Sequence, residues 1–219
     1  MPTSEQFVRA LESEIQTAIA RIGAASAAGV PAAGVSIAKL LEVALKNELE
    51  ASEEAAAWMA SERDVEVKLS LARQCGDEAK HYRLIEARLR ALGVDVAAID
   101  PLAGGPSPIY SFLRGLETTV ERVAAGPFAR EALAQVRNEV FIAYCRAEGD
   151  EGTARLYEET IQPDEAHHHQ LGRTLLVRLA IDDASQVLAR AAAMRTLELA
   201  EEGQEIARLK KGIARAPGC

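Results

Sequence analysis

The sequence predicts an all-α protein: a four-helix bundle made of two antiparallel helical hairpins, with a further helix at each end. Three observations carry this expectation. Apolar residues recur with the helical period along most of the chain, and no convincing alternating strand pattern competes with it. The composition is rich in Ala, Leu and Glu, balanced by Lys and Arg, side chains that lose little rotamer freedom in a helix. Glycines and prolines fall so that two tight helix pairs are joined by one long connection.

The elements follow in order. A first helix spans about 4–27, with Phe7, Leu11, Ile15, Ile19 and Ile22 on one face, and Gly29, Pro31 and Gly34 break it. A second covers about 35–60 and a third about 63–92, closing at Gly93; Ser61 and Asp64 mark a corner that has no glycine. The segment from Val94 to Pro108 is rich in Pro and Gly and reads as a linker of about fifteen residues. At ~3.3–3.6 Å per residue it is long enough to run the length of a helix. Helix resumes near Ile109, with an interruption expected at Gly126-Pro127, and runs to about Glu148. After the Gly149–Gly152 turn a helix covers about 153–180, where Pro163 predicts a kink. A last amphipathic helix occupies about 183–211. Two hairpins joined by one long crossover define the bundle core, about 35–180, within a single domain spanning 1–219.

Charge and composition exclude several classes. A net charge of −8 opposes a nucleic-acid surface, and the one basic cluster (Arg208, Lys210, Lys211, Arg215) reads as cations near a helix C-terminus. No apolar run approaches the ~20 residues needed to cross a bilayer, and no secretory signal opens the chain. Cys75, Cys145 and Cys219 form no CxxC pair, which fits a reduced, cytoplasmic protein.

The histidines carry the chemical signal. All four lie in or beside two similar pentapeptides, Asp77-Glu78-Ala79-Lys80-His81 and Asp164-Glu165-Ala166-His167-His168, the second followed by His169. Each contains Glu-x-x-His, whose i to i+3 spacing puts both side chains on one helical face. Upstream of each stands a matching element, Lys46-Asn47-Glu48 and Arg137-Asn138-Glu139, so the chain reads as a duplicated hairpin. The Glu-to-Glu separations are 30 and 26 residues, each across one corner.

Burial turns this pattern into a metal expectation. Glu48 interrupts the stripe of Leu41, Leu45, Ala55 and Met59, and Glu78 that of Leu71, Cys75, Ile85 and Leu89. Val136 and Ala143 flank Glu139, while Ile161, Leu175 and Leu179 continue through Glu165 and His168. Bare carboxylates in an apolar interior are very costly, so they must be protonated, paired or bound to cations, and two divalent metals would neutralise four of them. Glu131 is the substitute for Glu139, disfavoured by its distance from the corner, and His169 the substitute for His168. Glu50, Glu53 and Glu54 are expected to turn toward solvent. Trp58, Tyr82 and Tyr144 stand near the ligands and read chiefly as packing, with Tyr144 kept as a lesser site candidate.

Glu48, Glu78-x-x-His81, Glu139 and Glu165-x-x-His168 resemble the ferritin-like di-iron carboxylate pattern of rubrerythrins, bacterioferritins, ribonucleotide reductase small subunits and bacterial monooxygenases. The likeness covers about 35–180 and extends to Glu48-Leu49-Glu50-Ala51-Ser52, which looks like the first core helix of ferritins. It implies two iron ions, with Mn or a mixed pair fitting the same donors. Glu78 and Glu165 would bridge the pair or bind each in turn, Glu48 and Glu139 would be terminal ligands, and His81 and His168 would take one metal each. Asp77 and Asp164 match the aspartate that supports a ligand histidine in the monooxygenase branch. The resemblance implies an oxidase or oxygenase using O2 or peroxide on a small-molecule substrate, with a separate electron donor. Iron handling or peroxide scavenging is the alternative. The lack of CxxC pairs removes the rubredoxin-type domain of rubrerythrins, and the two flanking helices point to a homodimer or a covered bundle rather than a cage.

Overall fold

The computed structural model describes residues 2–28, 35–213 and 216–218. Seven helices and one short 3-10 turn occur among the described residues, and no strand does. They are α1 (Ser4–Ala28), α2 (Ile37–Ser61), α3 (Val65–Ala91), α4 (Pro108–Arg114), α5, α6 and α7 (Asp183–Lys211). Helix α5 runs unbroken through Thr119–Val123, a π-helical stretch Ala124–Arg130, and Glu131–Ala147. Helix α6 likewise joins Glu151–Leu156, a π turn Tyr157–Ile161, and Gln162–Leu179. The expected break at Gly29, Pro31 and Gly34 lies outside the described residues. No helix among those described is long and apolar enough to cross a membrane.

The corner between α2 and α3 needs no glycine because side chains satisfy its backbone. Glu62 accepts from the amides of Arg63 and Asp64, and Asp64 caps α3 by accepting from Glu66 and Val67. At the other corner Gly149 takes φ +80°, and Asp150 caps α6 through the amide of Thr153. Arg88, near the end of α3, reaches this second corner, donating to Thr153 at 2.8 Å and pairing with Asp150 at 2.5 Å.

The long connection behaves as its length predicts. With the start of α4 and α5 it follows α2 from its middle to its C-terminal end: Lys46 bonds Gly105, the Ser107 amide donates to Glu50 at 2.8 Å, Tyr110 donates to Glu53 and Thr119 to Glu62. This path corrects the expectation that Glu50 and Glu54 are solvated. Both are buried, Glu50 under the crossover and Glu54 against Arg130 of α5 at 3.0 Å; Glu53 alone is exposed.

Pro127 also differs from expectation. Pro127 does not interrupt its helix, and Pro163 sits in the first turn of helix after a π turn. A π stretch widens the helix by one residue and tolerates a missing i to i−4 bond, so the proline is absorbed rather than ending the helix. All seven residues of the Ala124–Arg130 stretch are buried. There α5 and α6 meet backbone to backbone: a Cβ on Gly172 would lie 2.7 Å from the Pro127 carbonyl carbon. A Cβ on Gly126 would lie 2.8 Å from the Trp58 ring.

Helices α1 and α7 cover this face, sharing one apolar core with it: Leu11, Ile15, Ile22, Phe128, Leu133, Leu176, Ala193 and Leu197. A second core lies toward the opposite end, with Leu41, Leu45, Ile85, Leu89, Phe141, Tyr157 and Ile161. Along α2, α3 and α6 the histidines and glutamates of the sequence pattern fall between the two. The fold therefore leaves a polar layer sandwiched between apolar ones.

Candidate metal centre

Four helices supply this layer. Glu48 comes from α2, Glu78 and His81 from α3, Glu131 from α5, and Glu165 and His168 from α6; none is more than 4% exposed. Their donor atoms fall into two overlapping groups, each within 4.8 Å: Glu48, Glu78, His81 and Glu165 in one, and Glu78, Glu131, Glu165 and His168 in the other. Glu78 and Glu165 belong to both. The duplicated hairpins thus produce two equivalent half-sites, each with its own glutamate and histidine and two shared carboxylates.

Glu139 is not part of this arrangement. It is exposed, and its neighbours on that side, Val136, Val140 and Ala143, are exposed as well. The buried stripe of α5 runs Glu131, Ala134, Asn138, Phe141 and Cys145 instead. Eight residues of α-helix turn through about 80° beyond two full circles, so Glu131 and Glu139 cannot share a face. Angular phase, rather than distance from the corner, decides which glutamate enters the core.

Each histidine is held from the hairpin opposite its own. His81 Nε2 lies 3.1 Å from Asp164 Oδ2, and His168 Nε2 lies 3.1 Å from Asp77 Oδ2. A carboxylate only accepts, so Nε2 carries the donated proton and Nδ1 turns inward. His81 Nδ1 stands 3.2 Å from Glu78 and 3.4 Å from Glu48; His168 Nδ1 stands 3.6 Å from Glu78 and 3.7 Å from Glu165. Lys80 spans both aspartates, 2.5 Å from Asp164 and 3.6 Å from Asp77. Burial raises Asp164, but hydrogen bonds from Lys80 and His81 outweigh it and keep its carboxyl below the usual range.

Electrostatics in this layer are severe. Burial pushes Glu48 up to about 7 and Glu165 up to about 8, and raises Glu131 well above the ordinary carboxylate value. Burial would raise Glu78 too, but bonding and charge from His81 and the charge of His168 hold it at about 2. His81 responds in the opposite sense: burial lowers it, yet the hydrogen bonds and charges of Glu48 and Glu78 carry it to about 12. The cluster is thus short of positive charge. Two of its atoms, Glu165 Oε2 and His168 Nδ1, are buried without a hydrogen-bond partner. An orphaned carboxylate oxygen beside an orphaned imidazole nitrogen is what a cation would satisfy, and the donor set of carboxylate oxygens and imidazole nitrogens suits a divalent metal. These buried groups could hold metal ions.

The surroundings fix Glu131. Gln74 donates to it at 2.7 Å, and the Glu54–Arg130 pair lies beside it. Burial lifts Glu54 to about 7 despite Arg130. Sequence patterning gives no sign of this network, since Gln74, Glu54 and Arg130 belong to no motif. Tyr157 is likewise found only in space: it is 1% exposed, packs edge-on to Phe141 at 4.9 Å, and its hydroxyl has no partner. Burial, then the nearby charges of Glu48, Cys145 and Glu165, raise it. Its position eight residues before Glu165, with Pro163 between, was the available signal.

The remaining candidates point elsewhere. His169 donates from Nδ1 to the Phe128 carbonyl at 2.8 Å and stacks on the Phe128 ring, so it faces the α1 side and takes no place beside His168. The Tyr144 hydroxyl donates to the Val35 carbonyl at 3.0 Å. Trp58 is buried against Gly126, and Tyr82 lies under the Arg83 guanidinium. Comparison with protein-family models, with curated proteins and with solved structures finds no match to this chain.

Proposed function

We propose that this chain is a ferritin-like di-iron carboxylate protein, an oxidoreductase that uses O2 or peroxide on a small organic substrate. The observation that carries the reading is the pair of buried donor groups sharing Glu78 and Glu165. Glu48 and His81 would hold one iron, Glu131 and His168 the other, with Glu78 and Glu165 common to both. When bound, an iron pair supplies redox equivalents and open positions for oxygen. The chain's own residues do the rest. Asp77 and Asp164 hold the Nε2 protons of the histidines, so that Nδ1 offers its lone pair. Gln74 orients Glu131, and the apolar layers on either side exclude bulk water.

A second reading, iron handling or peroxide removal, draws support from the hollow beside His168. This cavity, of about 10 Å³, is lined by Ser70, Leu71, Gln74, Pro127, Leu171 and Leu175 among others. That volume admits about one water-sized molecule.

Anaerobic titration of chelator-stripped protein with Fe(II), followed by O2, tests the proposal. Two irons per chain and an oxygen-dependent visible band are expected. Failure to bind iron, or one tight Zn or Mn in its place, would refute it. Rapid consumption of Fe(II) or peroxide without any oxidised organic product would select the second reading.

A further inference from the structure

One feature of the duplicated sequence elements is not used by the metal cluster. Asn47 and Asn138 occupy matching positions in Lys46-Asn47-Glu48 and Arg137-Asn138-Glu139, and both reach the same short peptide. Asn47 Nδ2 donates to the Pro217 carbonyl at 3.2 Å, and Asn138 Oδ1 accepts from the Gly218 amide at 2.9 Å. Arg137, anchored on α7 through the Ala200 carbonyl and Gln204, donates to the Gly218 carbonyl at 3.4 Å. The backbone from Pro217 to Gly218 thus has both carbonyls and its one free amide bonded.

The path to this seat is built in. Helix α7 ends at Gly212 with φ +67°, and the Ile213 amide returns to the Ala207 carbonyl, which stops the helix there. Ile213 is 4% exposed and packs in the same core as Leu41 and Phe141. Pro217 and Gly218 are buried. Gly218 has φ +70°, and a Cβ there would lie 3.6 Å from Glu48 Oε1. The peptide therefore lies beside a carboxylate of the cluster, one methyl group short of van der Waals contact with it.

We propose that Asn47, Asn138 and Arg137 form a binding seat for a peptide backbone, and that residues 217–218, as its occupant, close the Glu48 side of the cluster and gate exchange of its metal. The gating half rests on the metal reading above; the seat does not. Asn138 gives the seat its selectivity. It is fully buried and its Nδ2 has no partner, so loss of the Gly218 amide would leave the whole side chain unsatisfied, which favours a bound peptide over an empty seat.

The test uses Gly218→Val in the full chain, because a β-branched residue is disfavoured at this positive φ and its side chain would press on Asn47 and Glu48. A chain stopped at Ala216, which keeps Ile213 in the core, is the second variant. The side-chain amide signals of Asn47 and Asn138 are followed by NMR in metal-free protein, and removal of bound Fe(II) by a coloured chelator is timed anaerobically. In both variants the asparagine signals should move and chelator removal should accelerate by at least about ten-fold, as expected when a local opening step is eliminated. An Ala-Pro-Gly peptide added to the shortened chain should reverse both changes. Unmoved asparagine signals would overturn the seat. Moved signals with unchanged iron release would overturn the gate. Absence of iron from the parent chain would end the metal reading and the gate with it, and the amide signals would still decide the seat.

Discussion

His168 on α6 turns its Nε2 to Asp77 on α3, 3.1 Å away, and so leaves Nδ1 facing Glu78 and Glu165. His81 and Asp164 make the reciprocal bond. Each Asp-Glu-x-x-His motif therefore contributes its glutamate to the shared cluster and its aspartate to the other motif's histidine. Replacing Asp77 by Asn should weaken metal at the His168 half-site by about 10–100-fold, and Asp164→Asn should do the same at His81. Stepwise Fe(II) or Co(II) titration reads this as one site lost and one retained. Equal weakening of both sites by either variant would contradict the exchanged pairing.

Glu131 and Glu139 form a matched control. Glu131 is buried beside Gln74, while Glu139 is exposed. Glu131→Gln should remove one metal equivalent, because the amide offers a neutral oxygen where a carboxylate stood. Glu139→Gln should leave metal stoichiometry intact and move stability by no more than about 0.5 kcal/mol, as surface substitutions usually do. Loss of metal from the Glu139 variant would restore the pattern expected from sequence.

Gly172 is the point where α6 touches the π stretch of α5. Its missing Cβ is required by sterics rather than by a turn, since backbone atoms of Pro127 and Phe128 would stand 2.7–2.8 Å away. Gly172→Ala should destabilise the protein by about 1–3 kcal/mol, through displaced backbone that cannot rotate out of the way. Gly203, with open space around the same atom, is the control: Gly203→Ala should be neutral or stabilising by up to about 1 kcal/mol. Thermal unfolding of the two variants gives the comparison.

Glu54 supplies a pH signature. Burial lifts its pKa from 4.5 to about 7, against the pull of Arg130. A group raised in the folded state binds its proton more tightly there than in the unfolded chain. Its contribution to stability is therefore complete below about 4.5 and disappears as pH rises through about 7. In chelator-stripped protein, Glu54→Gln should flatten the decline in stability across that window by about 3 kcal/mol at most. Denaturant midpoints at pH 5 and pH 8, compared with the parent, measure it; an unchanged slope would mean that Arg130 keeps Glu54 ionised.

Much of the helical framework is legible in local sequence because its causes are local. The stripe of Phe7, Leu11, Ile15, Ile19 and Ile22 is buried as its spacing requires, and Asp64 caps α3 at the corner that Ser61 and Asp64 mark in the sequence. Glu48, Glu78, His81, Glu165 and His168 come together because each interrupts an apolar stripe, which marks the buried face before any partner is known. Glu139 misleads because Arg137-Asn138-Glu139 repeats the residue types of Lys46-Asn47-Glu48 without their helical phase. Pro127 misleads because proline breaks an α-helix but not a π turn.

The sequence by itself determined six helical stretches, the two corners, the long connection and a set of acidic and imidazole side chains bound for the interior, since periodicity, capping and chain length act within a few turns; the division of the fourth stretch into α4 and α5 at residues 115–118 was not among them. Only the tertiary structure decided that Glu131 joins the cluster, that each aspartate serves the opposite histidine, that Glu50 and Glu54 are covered, and that Asn47 and Asn138 grip residues 217–218. Those outcomes depend on which faces of distant helices meet, and on two π turns that shift the phase along α5 and α6, quantities fixed by packing between elements rather than within them.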